Sequence, residues 1–138
     1  MACPRFCALG SLLVAVLVSS AGADEPASAR RRYEQTVAKA VNYLKAKGQA
    51  EDGSYSASSG PAITALAVHS LIRSGVPASD PAVSKGLKHL EQFAQADGGV
   101  YRPGSLYRNY ETSLAILCFK EANRNGRYDQ LLKRADGL

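Results

Sequence analysis

The 138-residue chain carries 17 Lys and Arg against 12 Asp and Glu, a formal charge of +5, with three cysteines and no tryptophan. That length bounds it to one domain, and cysteines at 3, 7 and 118 give no disulfide framework. The basic excess is modest and no aromatics interleave with it as in a nucleic-acid groove, so nucleic acid is excluded as a partner.

In chain order, residues 1–23 have Arg5 near the start, an apolar run from Leu12 to Val18 and the small residues Ala21-Gly22-Ala23. This is the form of a secretory signal peptide, and its apolar run falls short of the roughly 20 residues that a spanning helix needs. The expectation is an exported protein, periplasmic or extracellular, cut near Ala23, with membrane contact only if the segment is retained. Cys3 and Cys7 leave with it, and Cys118, inside an apolar run, is read as core packing. Residues 24–32, ending in Arg30-Arg31-Arg32, are read as a solvated linker.

Five helices are expected after the linker. The first, 33–47, has a single stripe, Val37, Val41 and Leu44, and stops at Gly48. The second, 61–74, starts at Pro61 and is apolar almost all round, so it is read as covered on most sides. The third, 81–94, is capped by Asp80-Pro81 and repeats the character of the first through Val83, Leu87 and Leu90, with His89 solvated. The fourth, 110–123, is apolar all round again, and a fifth begins at Tyr128. Amphipathic and apolar helices alternate as outer and inner layers of an all-α fold of antiparallel hairpins.

The turns between outer and inner helices repeat. Gln49-Ala50-Glu51-Asp52-Gly53-Ser54-Tyr55 returns as Gln95-Ala96-Asp97-Gly98-Gly99-Val100-Tyr101, which sets Tyr55 against Tyr101 at an offset of 46. Thr64-Ala65-Leu66-Ala67-Val68 matches Thr112-Ser113-Leu114-Ala115-Ile116 at 48, placing two extra residues in the second loop. A fixed period of this size marks a helical-hairpin repeat, whose units bury their apolar faces only against neighbours. Repeat 1 is read as 33–80, repeat 2 as 81–126, and 127–138 as the start of a third. In the turns, Asp-Gly permits positive φ, Gln can bond backbone groups at nearby helix ends, and the ring covers the next hairpin.

These features resemble the prenyltransferase and squalene (terpenoid) cyclase repeat family, which follows an outer helix with a motif near Gln-x-x-Asp-Gly-Ser-Trp. The matching residues are Gln49, Asp52, Gly53 and Ser54, then Gln95, Asp97 and Gly98, with Tyr55 and Tyr101 where cyclases place tryptophan. Asn109-Tyr110-Glu111-Thr112-Ser113-Leu114-Ala115 with Gly126-Arg127-Tyr128 looks like exported bacterial proteins carrying the same repeat. The resemblance implies an α/α toroid, of which about two and a half repeats are present.

Catalysis finds little support in the residues. A protonating cyclase needs an acidic cluster of Asp-x-Asp-Asp type, and a prenyltransferase needs a zinc set of Asp, Cys and His. Neither is present: Cys118, His69 and His89 share no ligand spacing, so no metal and no cofactor is expected. His69, on an inner helix, is the one histidine placed to face a cavity. With Tyr55, Tyr101, Tyr107 and Tyr110 it makes up a candidate binding surface for an apolar chain, a glycan or a peptide, the tyrosines lying in or beside the two loops. A closed toroid takes about six hairpins, so an open arc is expected to meet further repeats or copies of itself along its open face. The reading favours a non-catalytic binding or scaffold module. The alternative is the amino-terminal part of a cyclase- or prenyltransferase-like enzyme whose catalytic residues lie in other repeats.

Overall fold

Proline and capping residues start the two best-packed outer and inner helices where the sequence places them. In the computed structural model, which describes residues 27–137, α1 is Ala27–Tyr43, α2 Pro61–Arg73, α3 Pro81–Glu91, α4 Arg108–Ala122 and α5 Asp129–Ala135. The expected signal peptide and its cleavage site lie outside the described residues. The Asp80 carboxylate accepts from Ala82 N at 3.0 Å to cap α3, and proline fills the first position of both α2 and α3. The described residues are all helical apart from turns and one isolated bridge, Ala94 to Val100.

α1 departs from expectation at its start, while its helical path stops at Gly48 as expected. Residues 27–32, read above as linker, are the first turns of the helix. Ala and Arg are strong helix formers, and no proline or glycine interrupts the run. Beyond Tyr43 the helix widens into a π turn, Leu44–Gly48, before Gln49 turns extended.

α2 and α4 form the centre and run side by side in the same direction. Arg73 and Glu121 pair at 3.8 Å near their carboxyl ends, and the Glu111 carboxylate lies over Gly60 near their amino ends. α3 packs on α2, and α5 on α4. Val68, Leu71, Val83, Leu90 and Phe119 are fully buried between these helices, with Tyr128 edging the cluster. Gly86 lets α3 come close: a Cβ there would meet Val68 Cγ2 at 2.3 Å. Cys118 is buried in the same core, where burial pushes its thiol up to about 12 and keeps it unreactive at neutral pH.

The apolar α2 and α4 are less covered than their composition predicts. Ile63 and Leu66 on α2, and Tyr110 and Leu117 on α4, are exposed, because no described element lies over those sides. His89, expected to be solvated, is instead buried at 7% exposure, its ring tilted against Phe93 with centroids 5.2 Å apart. The stripe of α3 is wide enough to carry His89 beneath the first turn.

Side-chain clips join α3 to the segment before it and to the one after it. Lys45 Nζ donates to the N-cap carboxylate of Asp80 at 2.6 Å. Between α3 and α5 the polarity is reversed: Glu91 Oε1 accepts from Arg127 Nη2 and from the Tyr128 hydroxyl, both at 2.9 Å.

Candidate functional site

The two Asp-Gly turns superpose in their hydrogen bonding at an offset of 45, not 46. Ala50 N donates to Ser54 O (2.9 Å) and Gly53 N to Ala50 O (3.0 Å); in the second turn Gln95 N donates to Gly99 O (2.8 Å) and Gly98 N to Gln95 O (3.1 Å). Asp52 Oδ1 accepts from Ser54 N at 2.9 Å, as Asp97 Oδ1 does from Gly99 N at 3.0 Å. Tyr55 N donates to Thr64 Oγ1 (2.9 Å), and Val100 N to Thr112 Oγ1 (3.1 Å), tying each turn to its following helix. The partner of Tyr55 is therefore Val100, and three extra residues, not two, lie between the second turn and α4.

This register gives the tyrosines different roles. Tyr55 is buried and donates its hydroxyl to Leu44 O at 3.2 Å; burial raises its pKa. Val100, fully buried, takes the equivalent place. Tyr101 is half-exposed, donates to Asp97 Oδ2, and lies under the Arg108 guanidinium at 5.3 Å. The glutamines diverge for the same reason. Gln49 Nε2 donates to Gly53 O (3.0 Å) and across to Ala82 O on α3 (2.8 Å), whereas Gln95 Nε2 stays in its own loop on Phe93 O and Tyr101 O, both 3.0 Å.

The longer second loop braces the first. Arg102 donates to Ala57 O (2.8 Å) and Ser58 O (3.2 Å), and its backbone N–H donates to Glu111 Oε2 at 2.9 Å. Glu111 is buried and also accepts from Ser105 Oγ at 3.0 Å. Sequence reasoning gave Glu111 no role. Its signal in the sequence is an acidic residue in the first turn of α4, a place that favours negative charge.

The expected binding residues separate. Tyr101 lines a groove of about 530 Å³ with Asp97, Arg108, Asn109, Thr112 and Ile116. Tyr107 and Tyr110 line a second hollow, of about 460 Å³, on the same loop beside Leu106, which is 95% exposed. Tyr55 is structural, and His69 sits half-buried on α2 and lines neither hollow. Among the described residues no three His, Cys, Asp or Glu side chains gather as a metal-ligand set, and no helix is long and apolar enough to cross a membrane.

Three carboxylates are held below their usual 3.8: Asp52 by the Ser54 hydroxyl, Asp80 by Lys45 and Asp97 by the Tyr101 hydroxyl. A depressed folded-state pKa contributes stability above the unfolded value, which is lost as pH falls through the lower folded value. The melting temperature is expected to fall below pH 3.8, with a shallower fall in Asp97→Asn, read by circular dichroism from neutral pH downward. An acid limb unchanged by that substitution would contradict the role of Asp97.

The polar groups around the turns are mostly spent on one another, and no buried side-chain nitrogen or oxygen among the described residues lacks a partner. Beyond them the surface exposes apolar and aromatic side chains, Ile63, Leu66, Leu106, Tyr107, Tyr110 and Leu117 among them. Comparison of the chain with protein-family models, with curated proteins and with solved structures found no match.

Proposed function

We propose that the chain is a non-catalytic repeat module of the α/α-toroid type, resembling the prenyltransferase and squalene-cyclase repeats, that binds an apolar ligand on the open sides of its inner helices. The observation that carries this reading is the exposure of Ile63, Leu66, Tyr110 and Leu117 on α2 and α4, whose opposite sides make the core. Export and an origin in that repeat family belong to the same proposal. The twice-used hydrogen bonding of the Asp-Gly turns supports a repeat. The binding role, in place of catalysis, is supported by the internal use of the turn carboxylates and of Glu111.

The test is saturable binding of a fluorescent farnesyl probe to the folded chain. Replacing Leu66 and Leu117 together by Asp is expected to weaken it about tenfold or more, since each side chain contributes apolar area that the charge removes. Undiminished binding by the double variant, or no binding by the parent chain, overturns the assignment.

A further inference from the structure

α1 carries the pattern of a seated outer helix but is only partly seated: Val41 and Leu44 rest half-buried against the core, while its amino-terminal half, with Tyr33, has no neighbour among the described residues. At an offset of 46, Val37, Ala40, Val41 and Leu44 correspond to Val83, Gly86, Leu87 and Leu90 of α3, all buried against α2. No residue of α1 is buried by the described part of the chain. Its stripe instead borders an open groove of about 380 Å³ that reaches Ser74 at the end of α2.

A second correspondence, at an offset of 95, says what the seat looks like. Arg32-Tyr33-Glu34-Gln35 nearly repeats Arg127-Tyr128-Asp129-Gln130, and Val37, Lys39 and Ala40 then match Leu132, Arg134 and Ala135. In α5 that motif is engaged: Arg127 and Tyr128 both donate to Glu91 Oε1, and the Tyr128 ring packs on Phe119 with centroids 4.6 Å apart. In α1 the matching Tyr33 is 70% exposed, against 4% for Tyr128. The two segments carry the same guanidinium, phenol and apolar stripe, and the chain holds a site in which the set of α5 is engaged.

We propose that α1 docks on a second copy of this chain, in the site that α5 fills within its own copy, with Arg32 and Tyr33 replacing Arg127 and Tyr128 at Glu91. α5 is a weak occupant: it has two turns, and only Ala135 in it is buried. α1 runs for 17 residues before its π turn and offers Tyr33, Val37 and Ala40, none of them buried in its own copy. The exchange keeps a guanidinium on Glu91, and among the described residues Arg32 has no ion-pair partner, whereas Arg30 is paired with Glu34. The contact is head-to-tail, so copies add in sequence until a ring closes. The inference rests on the repeat reading given above but uses a different surface from the apolar ligand.

The test is light scattering after size exclusion on the full chain over a concentration series. At about 100 µM the average mass is expected to reach at least twice that of the monomer, a micromolar-range association. Tyr33→Ala with Val37→Asp is expected to weaken association at least tenfold while leaving helicity, melting and farnesyl-probe binding unchanged, since neither residue is buried. Glu91→Ala removes the acceptor on the other side. Each variant alone is expected to remain monomeric, and the two mixed, one keeping its seat and the other its α1, are expected to form a 1:1 dimer. A parent chain monomeric throughout the series overturns the proposal. So does association that the α1 substitutions leave unchanged, or a mixture that stays monomeric. Loss of probe binding with association intact would sink the ligand reading alone.

Discussion

Phe119→Ala is expected to destabilise the fold by about 3–5 kcal/mol, the largest loss from any single truncation in this chain. The side chain is fully buried at the junction of α2, α4 and the segment leading into α5, and its ring meets that of Tyr128 at 42° with centroids 4.6 Å apart. Removing it leaves a cavity that two parallel helices, braced at both ends, cannot close by sliding together. Tyr128 loses its aromatic packing partner and keeps its hydroxyl bond to Glu91 and its backbone bond to Asn123, so α5 is expected to loosen as well. Domains of this size are stable by roughly 5–15 kcal/mol, so such a loss takes a large share of the total. Urea denaturation should show a lower midpoint with an unchanged slope. Leu117→Ala, two positions earlier and 52% exposed, should stay within about 0.5 kcal/mol. Similar losses at 117 and 119 would mean that α4 does not present the face described.

The helices that begin at Pro61 and Pro81 were legible because their start signals are local: a proline whose missing N–H costs nothing in a first turn, and an aspartate that caps the next amides. The all-α class followed from periodicity. The turn register was not legible, since aligning Tyr55 with Tyr101 follows side-chain identity, whereas the fold aligns backbone hydrogen bonds. Those bonds put Gln95 where Ala50 stands and Val100 where Tyr55 stands. Burial of His89 was missed because the turn that covers it arrives from a different helix; Asp52 Oδ2 lies 3.7 Å from its Nδ1. The Arg102 and Glu111 brace joins residues far apart in sequence, through carbonyls that any residue would supply, so composition holds no trace of it.

The candidate site was legible in kind and not in place. Tyr101 and Tyr107 belong to one loop, as expected, but Tyr110 lies in the first turn of α4, the three open onto two hollows, and Tyr55 is structural. The three extra residues of the second loop account for this. They push Leu106 and Tyr107 outward while Arg102 folds back on the first loop. The same lengthening leaves Asp97 facing a groove, whereas its counterpart Asp52 faces a buried histidine.

Gly53→Ala is expected to cost about 2–3 kcal/mol, and two other glycines divide that cost into parts. Gly53 has φ of +88°, and a Cβ there would stand 2.5 Å from the Lys85 carbonyl oxygen on α3. Gly75 has nearly the same φ, +89°, with nothing within 4 Å, so Gly75→Ala reads the backbone preference alone, about 1 kcal/mol. The excess at Gly53 measures how tightly the first turn presses on α3, a helix that Val83, Leu87 and Leu90 hold in the core and that cannot yield. Gly98 repeats the geometry, with φ of +92° and a Cβ 2.5 Å from Arg134 O, but it presses on the two-turn α5, which can retreat. Gly98→Ala should therefore fall between the other two, measured as urea midpoints at one pH. Equal costs at Gly53 and Gly75 would show that the turn does not bear on the next outer helix. The Asp-Gly pair would then be a chain reversal only, and the close contact that makes one hairpin set the position of the next would have to come from Gly86 and Gln49.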